Sequence, residues 1–268
     1  MKSAPALFYI ITLFFAFGCS KYQKVMNGDD VKAKVRMADS LYAVEEYDRA
    51  KVLYNEGKNA YLPQEDSRRV LYHLAYCEFY TDEKYLAAYH FNRFYESYPY
   101  SSQAEDALYM NAVCQYDVSP KYSLDQSSTK KAINAYQLFV SRFPNSEKVE
   151  GCNSKIDELR LKLETKAFEN AKLWHQILDY KSAVTALNNF IENYPASNFR
   201  EEAEFLIVES SYLLATMSVP KKKLERFNEA LDNYRDFKAD YPQSNFGEKA
   251  DKIEKQIVEE LKLQKANG

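Results

Sequence analysis

The side chains able to do covalent or acid–base chemistry are few in these 268 residues, and their spacing keeps them apart. His73, His90 and His175 are the only histidines and form no HExxH pair that would hold a metal from one helix face. No GxSxG elbow or phosphate-binding loop occurs, and the chain has only 6 glycines from which to build one. Glu45-Glu46 and Glu201-Glu202 are adjacent pairs, so their carboxylates point to different sides of a helix and make poor acid–base partners. Cys77, Cys114 and Cys152 are an odd count for disulfides and match no metal spacing. Cys77 and Cys114 sit within apolar helical runs, where Cys reads as a small buried hydrophobe. The expectation is a protein with no catalytic residue, no metal and no cofactor.

The fourth cysteine has a different setting. Lys2 and the apolar run from Ala6 to Phe17 have the charge and length of an export signal, too short for the roughly 20 residues that span a bilayer. The run ends Ala16-Phe17-Gly18-Cys19-Ser20. A small residue before Cys at this place resembles the lipobox of bacterial lipoproteins. That resemblance implies that residues 1–18 are a cleaved signal peptide and that the Cys19 thiol becomes a thioether to diacylglycerol. Residues 19–30 would then be a lipidated linker, firmly held because several acyl chains anchor where one is marginal. Ser20, rather than an acid, follows the Cys, which by analogy with Gram-negative sorting favours the outer membrane. The alternative is an ordinary signal peptide with an incidental Cys.

The elements that must position any binding residue are helical. Hydrophobic residues make up 46% and charged residues 28%, enough for a packed core, and a net charge of −3 gives no electrostatic case for nucleic acid. Ala87, Phe91, Phe94 and Pro99 recur at the same offsets as Ala132, Tyr136, Phe139 and Pro144. They recur again as Ala183, Leu187, Phe190 and Pro195, and as Ala230, Tyr234, Phe237 and Pro242. Positions i, i+4 and i+7 share one helix face, and the Pro stops the helix. Ser101, Ser146, Ser197 and Ser244 follow two residues later and are placed to cap the next helix, Ser146 with Glu147 and Ser101 with Glu105 in its first turn. This half-unit matches the second helix of a tetratricopeptide (TPR) repeat. Ala38, Ala75 and Ala112 mark first helices. The expected fold is all-α, a TPR-like αα-hairpin solenoid of about five repeats (31–63, 64–99, 101–144, 146–195, 198–242) with a C-terminal helix from about 245. Asp117 to Thr129 reads as an insertion loop between the helices of repeat 3, and Leu159 to Trp174 as an overlong first helix in repeat 4.

Embellished TPRs joined to a lipobox, with the stretches Phe91 to Met110, Ala132 to Ser146 and Ala183 to Ser197, resemble the BamD family, the TPR lipoproteins of the outer-membrane β-barrel assembly machinery. The resemblance covers nearly all of the chain after Cys19. It implies a non-enzymatic adaptor, lipid-anchored in the outer membrane and facing the periplasm. C-terminal repeats (145–268) would bind the POTRA domains of the Omp85-type barrel protein, and N-terminal repeats (31–144) would receive unfolded outer-membrane proteins. In TPR register the first helices of repeats 1 to 3 offer Tyr42, Tyr72, Tyr76, Phe79, Tyr109 and Tyr116 to an extended peptide; the alternative is that these rings pack between hairpins. For the barrel partner the candidates are Arg200, opening the last full hairpin, and Lys221, Lys222 and Lys223, expected nearby; a solvated helix face is the alternative. A TPR lipoprotein scaffold of another envelope complex, for the cell wall or a secretion apparatus, has the same fold and anchor.

Overall fold

The computed structural model describes residues 21–60 and 62–266; the expected signal peptide and Cys19 lie outside them. The described residues are helical with no strand. The helices are α1 (Val31–Tyr42), α2 (Tyr47–Gly57), α3 (Gln64–Tyr80), α4 (Lys84–Ser97), α5 (Ala104–Asp117), α6 (Ser127–Arg142), α7 (Val149–Gln176), α8 (Tyr180–Asn193), α9 (Arg200–Thr216), α10 (Pro220–Asp240) and α11 (Gly247–Ala266). They form the expected TPR-like αα-hairpins: α1 packs on α2, α2 on α3, and so on through α6, and α8 through α11 do the same. Residues 21–26, read from sequence as linker, are also helical. Tyr22 and Met26, one turn apart, pack against the first core, and the Tyr22 hydroxyl donates to the Arg49 carbonyl at 3.4 Å.

The repeated residues do what their spacing requires. Ala50, Ala87, Ala132, Ala183 and Ala230 are completely buried, as are the first-helix residues Ala38, Ala75 and Ala112, because a methyl group is all that fits where two helices touch. Phe94, Phe139, Phe190 and Phe237 fill the space below. In repeat 1 that position is Gly57, where a Cβ would lie 2.9 Å from Val35 Cγ2, so a side chain there would push α1 away from α2.

Each hairpin from the second to the fifth ends in one turn design. The Tyr98, Phe143, Tyr194 and Tyr241 N–H groups donate to the carbonyls of Phe94, Phe139, Phe190 and Phe237, the last bonds of their helices. Their own carbonyls then accept from Ser101, Ser146, Ser197 and Ser244 N–H, three residues on, with Pro at the second position, where its fixed φ suits a tight turn. The first-to-second helix turns are built differently. Glu45, Asp82 and Leu178 take positive φ (62°, 62° and 67°), and Glu46, Glu83 and Asp179 N–H reach back five residues to close the preceding helix. These are Schellman closures made without glycine. The longer link in repeat 3 is organised by the buried Gln126, whose side-chain amide donates to the carbonyls of Lys121 (2.9 Å) and Leu124 (2.9 Å).

The chain forms two compact units, 1–159 and 160–268, and the division falls inside α7. The first unit has cores around Leu53, Tyr54 and Leu74, and around Phe91, Phe94 and Leu71. In the second, Phe168, Leu187 and Phe190 form one core and Phe227, Phe237 and Ile257 another. Cys77 and Cys114 are buried, as their apolar surroundings predicted, and Cys152 is buried too; all three are free thiols. Burial pushes the Cys77 and Cys114 thiols up to about 12, so both stay protonated and unreactive at neutral pH.

Candidate functional site

In the first unit, aromatic side chains from α1, α3 and the start of α2 run edge to edge. Tyr42 stacks on His73 at 4.2 Å between ring centres, Tyr47 stacks on Tyr80 at 4.5 Å, and Tyr42 meets Tyr47 edge-on at 5.5 Å. Tyr72, Tyr76 and Tyr80 are one helical turn apart on α3, with centroid separations of 5.1 and 5.9 Å. Tyr42, Tyr72 and Tyr76 are half-buried and Tyr80 is 53% exposed, so the rings are seated on the core with a face or edge to solvent.

Carboxylates hold the hydroxyls of Tyr72 and Tyr76 in the strip and of Tyr54 beside it. Asp106 on α5 accepts from Tyr72 at 2.8 Å and from Tyr76 in a shorter bond, and its other oxygen lies 3.8 Å from Lys148 Nζ. Asp39 accepts from Tyr54 at 2.7 Å and pairs with Arg69 at 3.2 Å. Burial and the Asp106 bond raise the Tyr76 and Tyr72 phenols, and burial raises Tyr42, so all three remain neutral across the physiological range. For Asp39 burial works upward, but the bonds from His73 and Tyr54 and the Arg69 charge outweigh it and hold the carboxyl below its usual range.

The structure divides the six aromatic candidates. Tyr42, Tyr72 and Tyr76 join in the strip. Phe79 instead packs against the α4 core with Lys84 Nζ 3.5 Å over its ring. Tyr109 sits edge-on to Phe139 at 5.5 Å with Lys148 over its other side at 4.9 Å. Tyr116 lies beneath Lys155 at 4.3 Å and donates to Glu158. Tyr109 and Tyr116 therefore carry cationic covers, and Asp106 links Tyr109 to the strip through Lys148. Sequence reasoning missed Tyr47, Tyr80 and His73. Tyr80 continues the Tyr72–Tyr76 row and was legible by period; Tyr47 stands outside the first helix, and Asp106 had no signal at all.

The docking candidates separate too. Arg200 donates to Glu204 at 2.7 Å and to Asp240 at 3.4 Å, with burial and neighbouring acids around it. Together with Asn188, Ile207, Asn233 and Asp236 it lines a concavity of about 350 Å³ among α8, α9 and α10. Lys221, Lys222 and Lys223 form the first turn of α10 instead. They are not near Arg200, contrary to the sequence expectation: α9 has 17 residues, so the turn that follows it is about 25 Å from its start. Among the described residues no group could hold a metal ion, and no helix is long and apolar enough to cross a membrane.

With this geometry in view, the YfiO family, described as outer membrane lipoprotein, matches residues 30–176 and 174–263. The chain belongs to that family. Similar curated proteins are outer membrane protein assembly factors BamD. That of Neisseria gonorrhoeae is 22% identical over 210 residues, 75% of each chain. That of Rickettsia prowazekii is 26% identical over 183 residues, 67% of this chain and 69% of the other. That of Caulobacter vibrioides is 26% identical over 132 residues, 49% of this chain and 43% of its own length, so this chain spans less than half of that relative. The match to the YfiO family thus runs through both compact units and includes the aromatic strip and the Arg200 concavity.

Proposed function

We propose that this chain is a non-enzymatic, lipid-anchored adaptor in outer-membrane β-barrel assembly, acylated at Cys19 and facing the periplasm. Its N-terminal repeats receive unfolded outer-membrane proteins and its C-terminal repeats dock the POTRA region of the barrel protein. The observation that carries this reading is the aromatic strip of Tyr42, Tyr47, Tyr72, Tyr76 and Tyr80 in a member of the YfiO family. Open aromatic faces, with the Tyr72 and Tyr76 hydroxyls already bonded to Asp106, offer apolar area at little further polar cost, which suits an extended chain carrying aromatic side chains. Phe79 meets Tyr80 at the end of the strip and Tyr109 joins it through Lys148 and Asp106; Tyr116 follows Tyr109 on α5, and a lysine lies over each of these three rings. Docking is assigned to Arg200 and its concavity, where a partner carboxylate would compete with Glu204 and Asp240 for the guanidinium.

A mild-detergent pull-down of the lipidated protein from its own envelope, with mass spectrometry of what co-elutes, tests the reading. A stoichiometric POTRA-bearing barrel protein, lost in Arg200→Glu, is the expected result. Cell-wall or secretion subunits in its place would reassign the chain to another envelope complex. Photo-crosslinking from position 80 to unfolded barrel protein tests the strip, and Cys19→Ala tests the anchor by releasing the chain from the membrane fraction.

A further inference from the structure

Within the second unit, the first-to-second helix turns of hairpins 4 and 5 lie on one edge. Lys172 meets Glu202 at 2.5 Å, and His175 meets Glu209 at 3.3 Å and Ser210 at 2.9 Å, so α7 and α9 run side by side in the same direction. The turn after α7 therefore comes within about 10 Å of the turn after α9, counted along the latter helix. Both turns present large apolar side chains to solvent. Trp174 is 42% exposed, Ile177 56% and Leu178 63%; Met217 is 68% and Val219 62% exposed. Leu178 holds φ 67°, a backbone position that favours glycine, yet the chain keeps a leucine there with its side chain outward.

The charges on this edge are mostly positive. Lys221, Lys222 and Lys223 occupy the first turn of α10, where the helix dipole opposes cations, and no ion pair to an acid is formed by them among the described residues. Lys181 is exposed at the start of α8. The neighbouring acids are Asp179, already bonded to Ser182 N–H and hydroxyl at 3.1 and 2.8 Å, and Glu225.

We infer that this edge seats on the surface of a membrane containing anionic phospholipid, with Trp174, Ile177, Leu178, Met217 and Val219 entering the interface and the lysines meeting the headgroups. Isolated exposed apolar residues need no explanation, but five on one edge do. Protein interfaces are depleted in lysine at their centres, whereas apolar tips rimmed by lysine are the signature of interfacial membrane contact. Tryptophan in particular settles at the headgroup level. The chain's membership of an outer membrane lipoprotein family supplies the lipid surface.

Trp174 is the sole tryptophan, so its fluorescence reports this edge and nothing else. The full protein, purified from its envelope, is mixed with phosphatidylcholine vesicles with or without phosphatidylglycerol, and its emission is read with aqueous iodide and with brominated lipid. The expected result with phosphatidylglycerol is a blue shift, protection from iodide and quenching by brominated lipid. Replacing Lys221, Lys222 and Lys223 with Gln should weaken the lipid-contact equilibrium about a hundredfold, near a factor of five per lysine. Leu178→Gly, which suits the local backbone and so keeps the fold, should reduce lipid quenching as well. Equal iodide access in both vesicle types would overturn the inference, as would lipid contact indifferent to the lysines. Protection that arises only when envelope proteins are added back would assign the edge to a protein partner instead.

Discussion

Hairpins 2 and 3 carry the same aromatic-Pro-x-Ser turn, yet close differently. In hairpin 3 the Ser146 hydroxyl accepts from Lys148 N–H at 3.2 Å and donates to Glu105, at the start of the same hairpin, at 2.6 Å. Hairpins 4 and 5 repeat the arrangement: Ser197 donates to Glu164 and accepts from Phe199 N–H, and Ser244 donates to Glu201 and accepts from Phe246 N–H. In hairpin 2 the Ser101 hydroxyl is buried with no partner. The three acceptors each stand seven residues, two helical turns, before a small or branched buried first-helix residue: Glu105 before Ala112, Glu164 before Ala171, Glu201 before Val208. The same position before Ala75 is Arg68, which turns to Glu65 at 2.6 Å. The turn is thus a local property repeated four times, while the latch depends on one residue of another helix. The proposed peptide strip lies on hairpins 1 and 2, the two without it.

Substitutions can break or sharpen that contrast. Phe94→Ala and Phe139→Ala should each cost about 3–5 kcal/mol, because both rings are completely buried. Similar shifts in the urea midpoint for the two would show that the hairpins differ in their latch and not in their cores. Ser146→Ala strands a carboxylate and should cost about 1.5–3 kcal/mol. Ser101→Ala, which removes an unpaired hydroxyl, should leave stability unchanged or slightly raised; an equal loss in both would erase the distinction. Arg68→Glu supplies the missing acceptor and should add about 1 kcal/mol, net of an exposed pair worth little. Its combination with Ser101→Ala should remove that gain.

Hairpin 1 has neither the Pro-x-Ser turn nor the latch, and Asp39 gathers Tyr54 and Arg69 in its place. The folded-state pKa of Asp39 lies below its ordinary 3.8, so its contribution is complete above that value and fades as pH falls through the folded pKa. Unit 1 should accordingly lose stability from about pH 4 downward more steeply than its Asp39→Asn variant, a smaller effect than the others and measurable by acid titration of helicity.

The hairpins were legible because their signals are local. An Ala, an aromatic and a Phe on one helix face, closed by Pro, mark a second helix wherever they recur, and the insertion loop and the long α7 followed from the same count. The serine caps were half legible: the backbone N–H each accepts from is two residues away, but its acid is not. Glu147 and the Ser101–Glu105 pairing were the sequence expectation, and the folded chain gives Ser146 to Glu105 and leaves Ser101 alone. The positive-φ closures at Glu45, Asp82 and Leu178 carried no glycine to announce them.

What the sequence determined by itself, then, is the set of helices, their order, their stopping points and the buried small residues that let them touch, since each depends on neighbours within two turns. Which tyrosines share a surface, which carboxylate holds their hydroxyls, and that Arg200 and Lys221 to Lys223 belong to opposite ends of one hairpin were decided only by tertiary packing. The hydrogen bonds behind the tyrosine strip and the Arg200 concavity join residues 30 to 40 positions apart on different helices, where a shift of one turn selects a different partner.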